Sequence, residues 1–115
     1  MWYRKKKELP PGETPPKEVI YEVIGTSDEV GCGFAIADIQ RSQKHYHRRT
    51  VETYTLVYGE LRVHVGDAVE VLRNPGQVLT IPLNVPHWAE SVGETPARIA
   101  VFTKPPWTPE DHLPV

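Results

Sequence analysis

The sequence predicts an all-β domain, a small antiparallel β-barrel or jelly roll with an extended N-terminal arm and a C-terminal tail. Two patterns in the chain point to it. From residue 17 onward, short runs of β-branched and aromatic residues alternate with turn signals, and no window carries apolar residues at a 3.6-residue period. All 12 prolines of the 115-residue chain lie in residues 1–16 or from residue 75 onward, so the stretch 17–74 has none to interrupt sheet pairing. A sheet this small must close or stack to hide its apolar face. At 39% hydrophobic and 24% charged residues, the length supports one modest core and little beyond it.

In chain order, residues 1–16 form the arm: Pro10, Pro11, Pro15 and Pro16, with Gly12 between the pairs, favour extended backbone without internal hydrogen bonds. The barrel domain spans 17–104, with strands expected at 19–24, 34–39, 51–58, 61–65, 69–72, 78–81, 87–91 and 99–103. Gly59 and Glu60 read as a two-residue hairpin loop that pairs Tyr58 with Leu61, Leu56 with Val63 and Tyr54 with Val65. Glu52 falls on that same inward face, because strand side chains alternate with period two. A buried carboxylate costs several kcal/mol unless a cation or strong donors meet it, so Glu52 demands a partner. The tail, 105–115, contains Thr108, Pro109, Glu110 and Asp111, the signature of a short helical turn with an N-cap, a first-position proline and acids in the first turn.

The net charge of −2 and a single basic cluster at Arg4 to Lys7 exclude nucleic acid as the main partner. No run approaches 18 apolar residues, and the sequence passes from Met1 to the basic cluster without an apolar segment, so neither a membrane span nor a secretory signal is expected. A cytoplasmic setting follows. The lone Cys32, between Gly31 and Gly33, reads as a small buried thiol without an activating base nearby.

Ahead of Glu52 stand His45 and His47, one residue apart, so on a strand both imidazoles project from one face. The order is His-x-His, four residues, Glu52, six residues, Gly59; then Gly76, five residues, Pro82, four residues, His87. This pattern resembles the cupin family, whose first motif supplies two His and a Glu and whose second supplies a third His to one bound metal. The resemblance covers roughly residues 34–103. It implies a β-barrel in which His45, His47, Glu52 and His87 are the metal ligands and Gly59, Gly76 and Pro82 are turn residues. The sequence departs from the family at Ile39 and Asn84, where a Gly is usual, and at Ser91, where an Asn is. Asn84 tolerates left-handed backbone better than other non-Gly types.

Three neutral imidazoles and a carboxylate suit one divalent transition metal ion, Fe, Mn, Ni, Cu or Zn, and leave coordination positions for a small molecule. Exposed loop histidines beside a solvated carboxylate would be the plainer arrangement; the joint spacing favours the metal. Tyr54 shares the inward face and is the candidate for touching substrate, with a core role as the alternative. Arg41, Arg48 and Arg49 flank the ligand loop as solvent-facing residues that an anionic substrate could meet. His64 should point outward beside Arg62, and His112 should be structural or solvated in the tail. Trp88 and Trp107, expected on outer or tail positions, suggest a covered surface, and homodimerisation would cover it. The function expected is that of a mononuclear metalloenzyme acting on a small organic molecule. Dioxygenase-like chemistry is favoured over isomerase, epimerase, lyase or decarboxylase chemistry, because no second base is evident on the inward face. The alternative is a non-catalytic metal- or ligand-binding module.

Overall fold

The computed structural model describes residues 5–8 and 17–115. Pro10, Pro11, Pro15 and Pro16 of the expected arm fall outside these residues. Within the arm, β1 (Lys5–Glu8) is a strand that pairs antiparallel with β2 (Lys17–Ile24). The chain continues through β3 (Gly33–Arg41), β4 (His45–Tyr46), β5 (Val51–Tyr58), β6 (Leu61–Val65) and β7 (Ala68–Leu72). It ends with β8 (Val78–Ile81), β9 (His87–Ser91), β10 (Ala97–Lys104) and β11 (Leu113–Pro114). No helix among the described residues is long and apolar enough to cross a membrane.

All pairings are antiparallel. One sheet runs β1-β2-β3-β10-β5-β8 and the other β7-β6-β9-β4-β11, joined where Arg41 of β3 meets Glu90 of β9. The result is a nearly closed antiparallel barrel. Alternation along each strand sends one set of side chains inward: Ala37 and Ile39 from β3, Tyr54 and Leu56 from β5, and Ile99 and Val101 from β10. Leu61 and Val63 of β6, Leu72 of β7 and Ala89 of β9 face them from the second sheet and close the apolar core. Burying each of the Val, Leu and Ile side chains among these contributes ~1.5–3 kcal/mol.

The hairpin expected at Gly59 and Glu60 does not form. β5 pairs with β10 and β8, while β6 pairs with β9 and β7, so Gly59 carries the chain from one sheet to the other. Two flanking strands take up the backbone groups of β5 and leave none for β6. Gly59 is required there, with φ +86° and a Cβ position only 2.9 Å from Ala97 Cα. The inward parity of Glu52, Tyr54, Leu56, Leu61 and Val63 survives this change, because the two sheets face each other across the core. Tyr58 does not follow it: it is exposed, with the Arg98 guanidinium 5.4 Å from its ring centroid. Cys32 is likewise exposed rather than buried.

Candidate metal centre

The site sits where the two sheets come together. His45 lies on β4, His47 one residue beyond it, Glu52 on β5 and His87 at the start of β9. All four are buried, and one donor atom from each falls within 4.8 Å of the others. His45 pairs with His87 across β4 and β9, and Glu52 pairs with Thr103 across β5 and β10. The loop before β9 is set by Asn84, which adopts φ 63° and donates its backbone N–H to the His47 carbonyl at 2.7 Å. This is the left-handed backbone expected of the residue standing where glycine is usual.

Hydrogen bonds fix the tautomer of each imidazole. His45 Nδ1 donates to the Gln43 carbonyl at 2.7 Å, His47 Nδ1 to the Asp111 carbonyl at 2.6 Å, and His87 Nδ1 to the Val85 carbonyl at 2.9 Å. A carbonyl only accepts, so each Nδ1 carries a proton and each Nε2 is left as the donor atom of a neutral ring. Nε2 of His47 and Nε2 of His87 both lie 3.0 Å from Glu52 Oε1. Without a cation, at least one nitrogen lone pair faces the carboxylate unless both rings carry a second proton. A metal ion among these atoms removes the conflict, so the donor set fits one.

The electrostatics follow from the same contacts. Burial, together with the neighbouring His112 and His87, pushes the His45 imidazole down to about 3. Burial also works against protonated His47, but the Glu52 carboxylate and the Asp111 contacts outweigh it and raise that group. Burial opposes ionisation of Glu52, yet in the metal-free protein its contacts with His47 and His87 hold it well below the usual carboxylate range. Tyr54 is pushed well above the ordinary tyrosine value by burial and by the charges of Glu52 and Glu18, so its phenol stays protonated.

The C-terminal tail forms part of the site. Residues Pro109–Asp111 make a single 3-10 turn at the place where a helical start was expected, although the Thr108 side chain does not cap it. The Asp111 carboxylate is buried and accepts from the backbone N–H groups of Arg48, Arg49 and Thr50, at 2.8, 3.1 and 2.9 Å. Those three bonds pin the loop between His47 and Glu52. Strand β11 then pairs with β4, setting Leu113 against Tyr46 and Pro114 against His45. His112, expected to be structural or solvated, stacks on His45 with centroids 4.1 Å apart and 19° between planes. Trp107, expected on an outer or tail position, lines the cavity beside the site and meets the His112 ring edge-on at 5.9 Å. No local periodicity reports these roles, because β11 is two residues long and its partner β4 is equally short.

Of the other candidates, Tyr54 lies beside the cluster, and His64 and the arginines lie elsewhere. Tyr54 is buried and lines the cavity. His64 faces outward, 2.7 Å from Glu90 and stacked on Trp88 with centroids 4.0 Å apart. Arg41 covers the same indole at 4.9 Å, whereas Arg48 and Arg49 are exposed and contribute backbone N–H groups rather than side chains to the site.

Residues 36–103 match the family described as Cupin domain, more than half of the chain. The chain belongs to the cupin family. A search of curated protein sequences finds no match. Among solved structures, this cupin is similar to an oxalate oxidase (TM-score 0.69, 22% identity), over 85% of its own residues and 56% of the oxidase. The chain thus spans little more than half of that enzyme's length. It is also similar to KdgF from Halomonas sp. (TM-score 0.71, 16% identity, covering 90% of this chain and 89% of that one). Streptomyces PAC13 with uridine is a third relative in fold (TM-score 0.73, 13% identity, covering 85% and 78%). At these identities the likeness concerns the fold.

Proposed function

We propose that this cupin is a mononuclear metalloenzyme in which His45, His47, Glu52 and His87 bind one divalent transition metal ion, Fe, Mn, Ni, Cu or Zn, and a small organic molecule is the substrate. The observation that carries the proposal is the convergence of the His47 and His87 Nε2 atoms on the buried Glu52 carboxylate, with a donor atom of His45 within 4.8 Å and each ring oriented by a backbone carbonyl. Bound there, the ion supplies Lewis-acid or redox chemistry to oxygen atoms of the substrate. The protein's own residues do the rest. The Nδ1 bonds hold the imidazoles in place, Tyr54 offers a protonated phenol, and the apolar core below excludes water.

Dioxygenase-like chemistry is the first reading, since it needs an open redox site and no additional base. The stacked His112 ring favours a second reading, isomerase or lyase chemistry, because it places another imidazole able to hold a proton beside His45. A non-catalytic binding module is the remaining alternative. The setting proposed is cytoplasmic, and the assembly a homodimer formed through the outer face of the first sheet.

Metal analysis of the purified protein, followed by oxygen-uptake and product screens with phenols, thiols, diketones and sugar acids, tests the reading. A transition metal near one per chain, lost in His45→Ala, with turnover of one substrate class, is the expected result. No metal loading, or loading unchanged in His45→Ala, overturns the site; loading without turnover favours the binding module.

A further inference from the structure

The cavity beside the cluster has a volume of about 330 Å³ and takes part of its wall from Thr103, the last inward residue of β10. In the pairing of three strands Thr103 stands between Gly33 of β3 and Glu52 of β5. It is 7% exposed, and its Oγ1 is the one buried side-chain nitrogen or oxygen without a hydrogen-bond partner among the described residues. Its buried polar neighbours in the fold are satisfied. Ser42 exchanges hydrogen bonds with the Ala89 backbone, the Thr50 hydroxyl donates to the Pro105 carbonyl, and the Asp111 carboxylate accepts from backbone N–H groups.

A buried hydroxyl without a partner loses its bonds to water and replaces them with nothing, which destabilises the fold. Valine has nearly the same shape without that cost, and the preceding inward residue of β10 is Val101. The surroundings nevertheless leave room for the hydroxyl. Gly33 is not among the glycines with positive φ, so its backbone does not call for glycine. A Cβ there would collide with Thr103 Oγ1 and stand 3.3 Å from the Ile24 carbonyl oxygen. A glycine thus keeps space beside a hydroxyl that bonds nothing, and stability of the barrel accounts for neither residue.

From the unpartnered hydroxyl in the cavity wall we infer that Thr103 contacts the substrate: it bonds one oxygen of a small molecule whose neighbouring oxygen binds the metal, so the substrate carries a hydroxyl or carbonyl group close to its metal-binding oxygen. The inference rests on the proposed metal site for the first contact and on Thr103 for the second. Residues opposite each other on antiparallel strands stand about 4.5–5.5 Å apart at Cα, so a molecule of a few heavy atoms spans from the Glu52 cluster to Thr103. One staggered step about χ1 turns the hydroxyl from Gly33 toward the cavity. A hydroxyl both donates and accepts, so either kind of substrate oxygen satisfies it.

The test uses metal-loaded protein and hydroxamates that share one metal-binding head, titrated calorimetrically. Propionohydroxamate is set against 2-hydroxyacetohydroxamate, and butyrohydroxamate against 3-hydroxypropionohydroxamate, so that a hydroxyl replaces the terminal methyl at two chain lengths. At least one hydroxylated probe is expected to bind roughly fivefold or more tighter than its methyl counterpart in the wild type. Thr103→Val should abolish that preference and Thr103→Ser should keep it. Melts of the ligand-free protein read the opposite sign: Thr103→Val should melt at the wild-type temperature or above it, whereas loss of a hydrogen-bonded threonine would lower the midpoint by about 4 °C or more. No hydroxyl preference at either length, the same preference in Thr103→Val, or a lowered midpoint in that variant overturns the inference. Weaker metal binding in Thr103→Val with the ligand preference unchanged assigns the hydroxyl to Glu52 and overturns it as well. Metal content of the wild type separates the two failures. If no metal loads, the metal site falls, and ligand-observed NMR of the metal-free protein with the same probes decides Thr103: a hydroxyl preference that vanishes in Thr103→Val supports the contact, and its absence overturns it.

Discussion

Glu52 is the residue on which the centre turns, because its Oε1 is shared by two imidazoles in a buried site. Replacing it by Gln removes the negative charge while keeping the shape, and metal affinity should fall at least ~100-fold in a chelator-competition assay, beyond the ~10–100-fold typical of outer-shell partners. The same contacts set a pH profile for the metal-free protein. His45, held down to about 3 by burial and neighbouring imidazoles, contributes stability above the ordinary histidine value that is lost as pH falls below ~6.5. Glu52, also depressed, adds to that acid limb below ~4.3. His47 is raised, so its contribution is complete below ~6.5 and is lost as pH rises through its folded value. Thermal melts in chelator should therefore show maximal stability near pH ~6.5. The alkaline fall should vanish in Glu52→Gln, where His47 loses the partner that holds its proton, and in metal-loaded protein, where His47 holds no second proton. An alkaline fall unchanged in both would contradict the proposed arrangement.

At the scale of elements, the C-terminal segment is joined to the ligand loop through Asp111. Burial opposes ionisation of its carboxylate, but the three backbone N–H bonds hold it below the usual range, and its carbonyl orients His47. Asp111→Ala leaves those N–H groups without an acceptor and should cost ~1–3 kcal/mol in denaturant melts. It should also weaken metal binding ~10–100-fold, as loss of a group that orients a ligand does. Asp111→Glu, able to accept but longer, should recover part of the affinity. An affinity unchanged in Asp111→Ala would separate the segment from the site. This element was also the least legible in the sequence. Runs of β-branched and aromatic residues between turn signals located β5, β6, β8 and β9, period-two alternation placed Glu52 inward, and the His-x-His spacing brought the ligands forward. These patterns could not report β4 and β11, whose two-residue pairing depends on contacts more than 60 positions apart. Nor could the turn signal at Gly59 distinguish a hairpin from a crossing between sheets, since both need the same left-handed glycine. The places of His112 and Trp107 are hidden in the sequence for the same reason: the return of the tail is a tertiary event.

For the whole molecule, the two tryptophans leave a dimer to form elsewhere: Trp88 lies on the outer face as expected but is covered, and Trp107 has moved to the cavity. Trp107 lines the cavity and Trp88 is layered between Arg41 and His64, so neither leaves a bare apolar surface. The outer face of the first sheet does. Phe102 is 51% exposed there, in ring contact with Phe34 at 4.7 Å, and Val57 and Val78 are exposed on the neighbouring strands. A stable pair buries ~800 Å² per partner around an apolar centre, and Phe102 is the large exposed apolar side chain on this face around which such a contact would form. Sedimentation at micromolar concentration should give a dimer for the wild type and a monomer for Phe102→Glu, which places a charge at the centre of a self-complementary contact. The substitution points away from the site, because Val101 and Thr103 on either side face inward. Metal content per chain should therefore stay unchanged while the mass halves. A monomeric wild type would remove the dimer. A Phe102→Glu protein that stays dimeric would move the interface to another face.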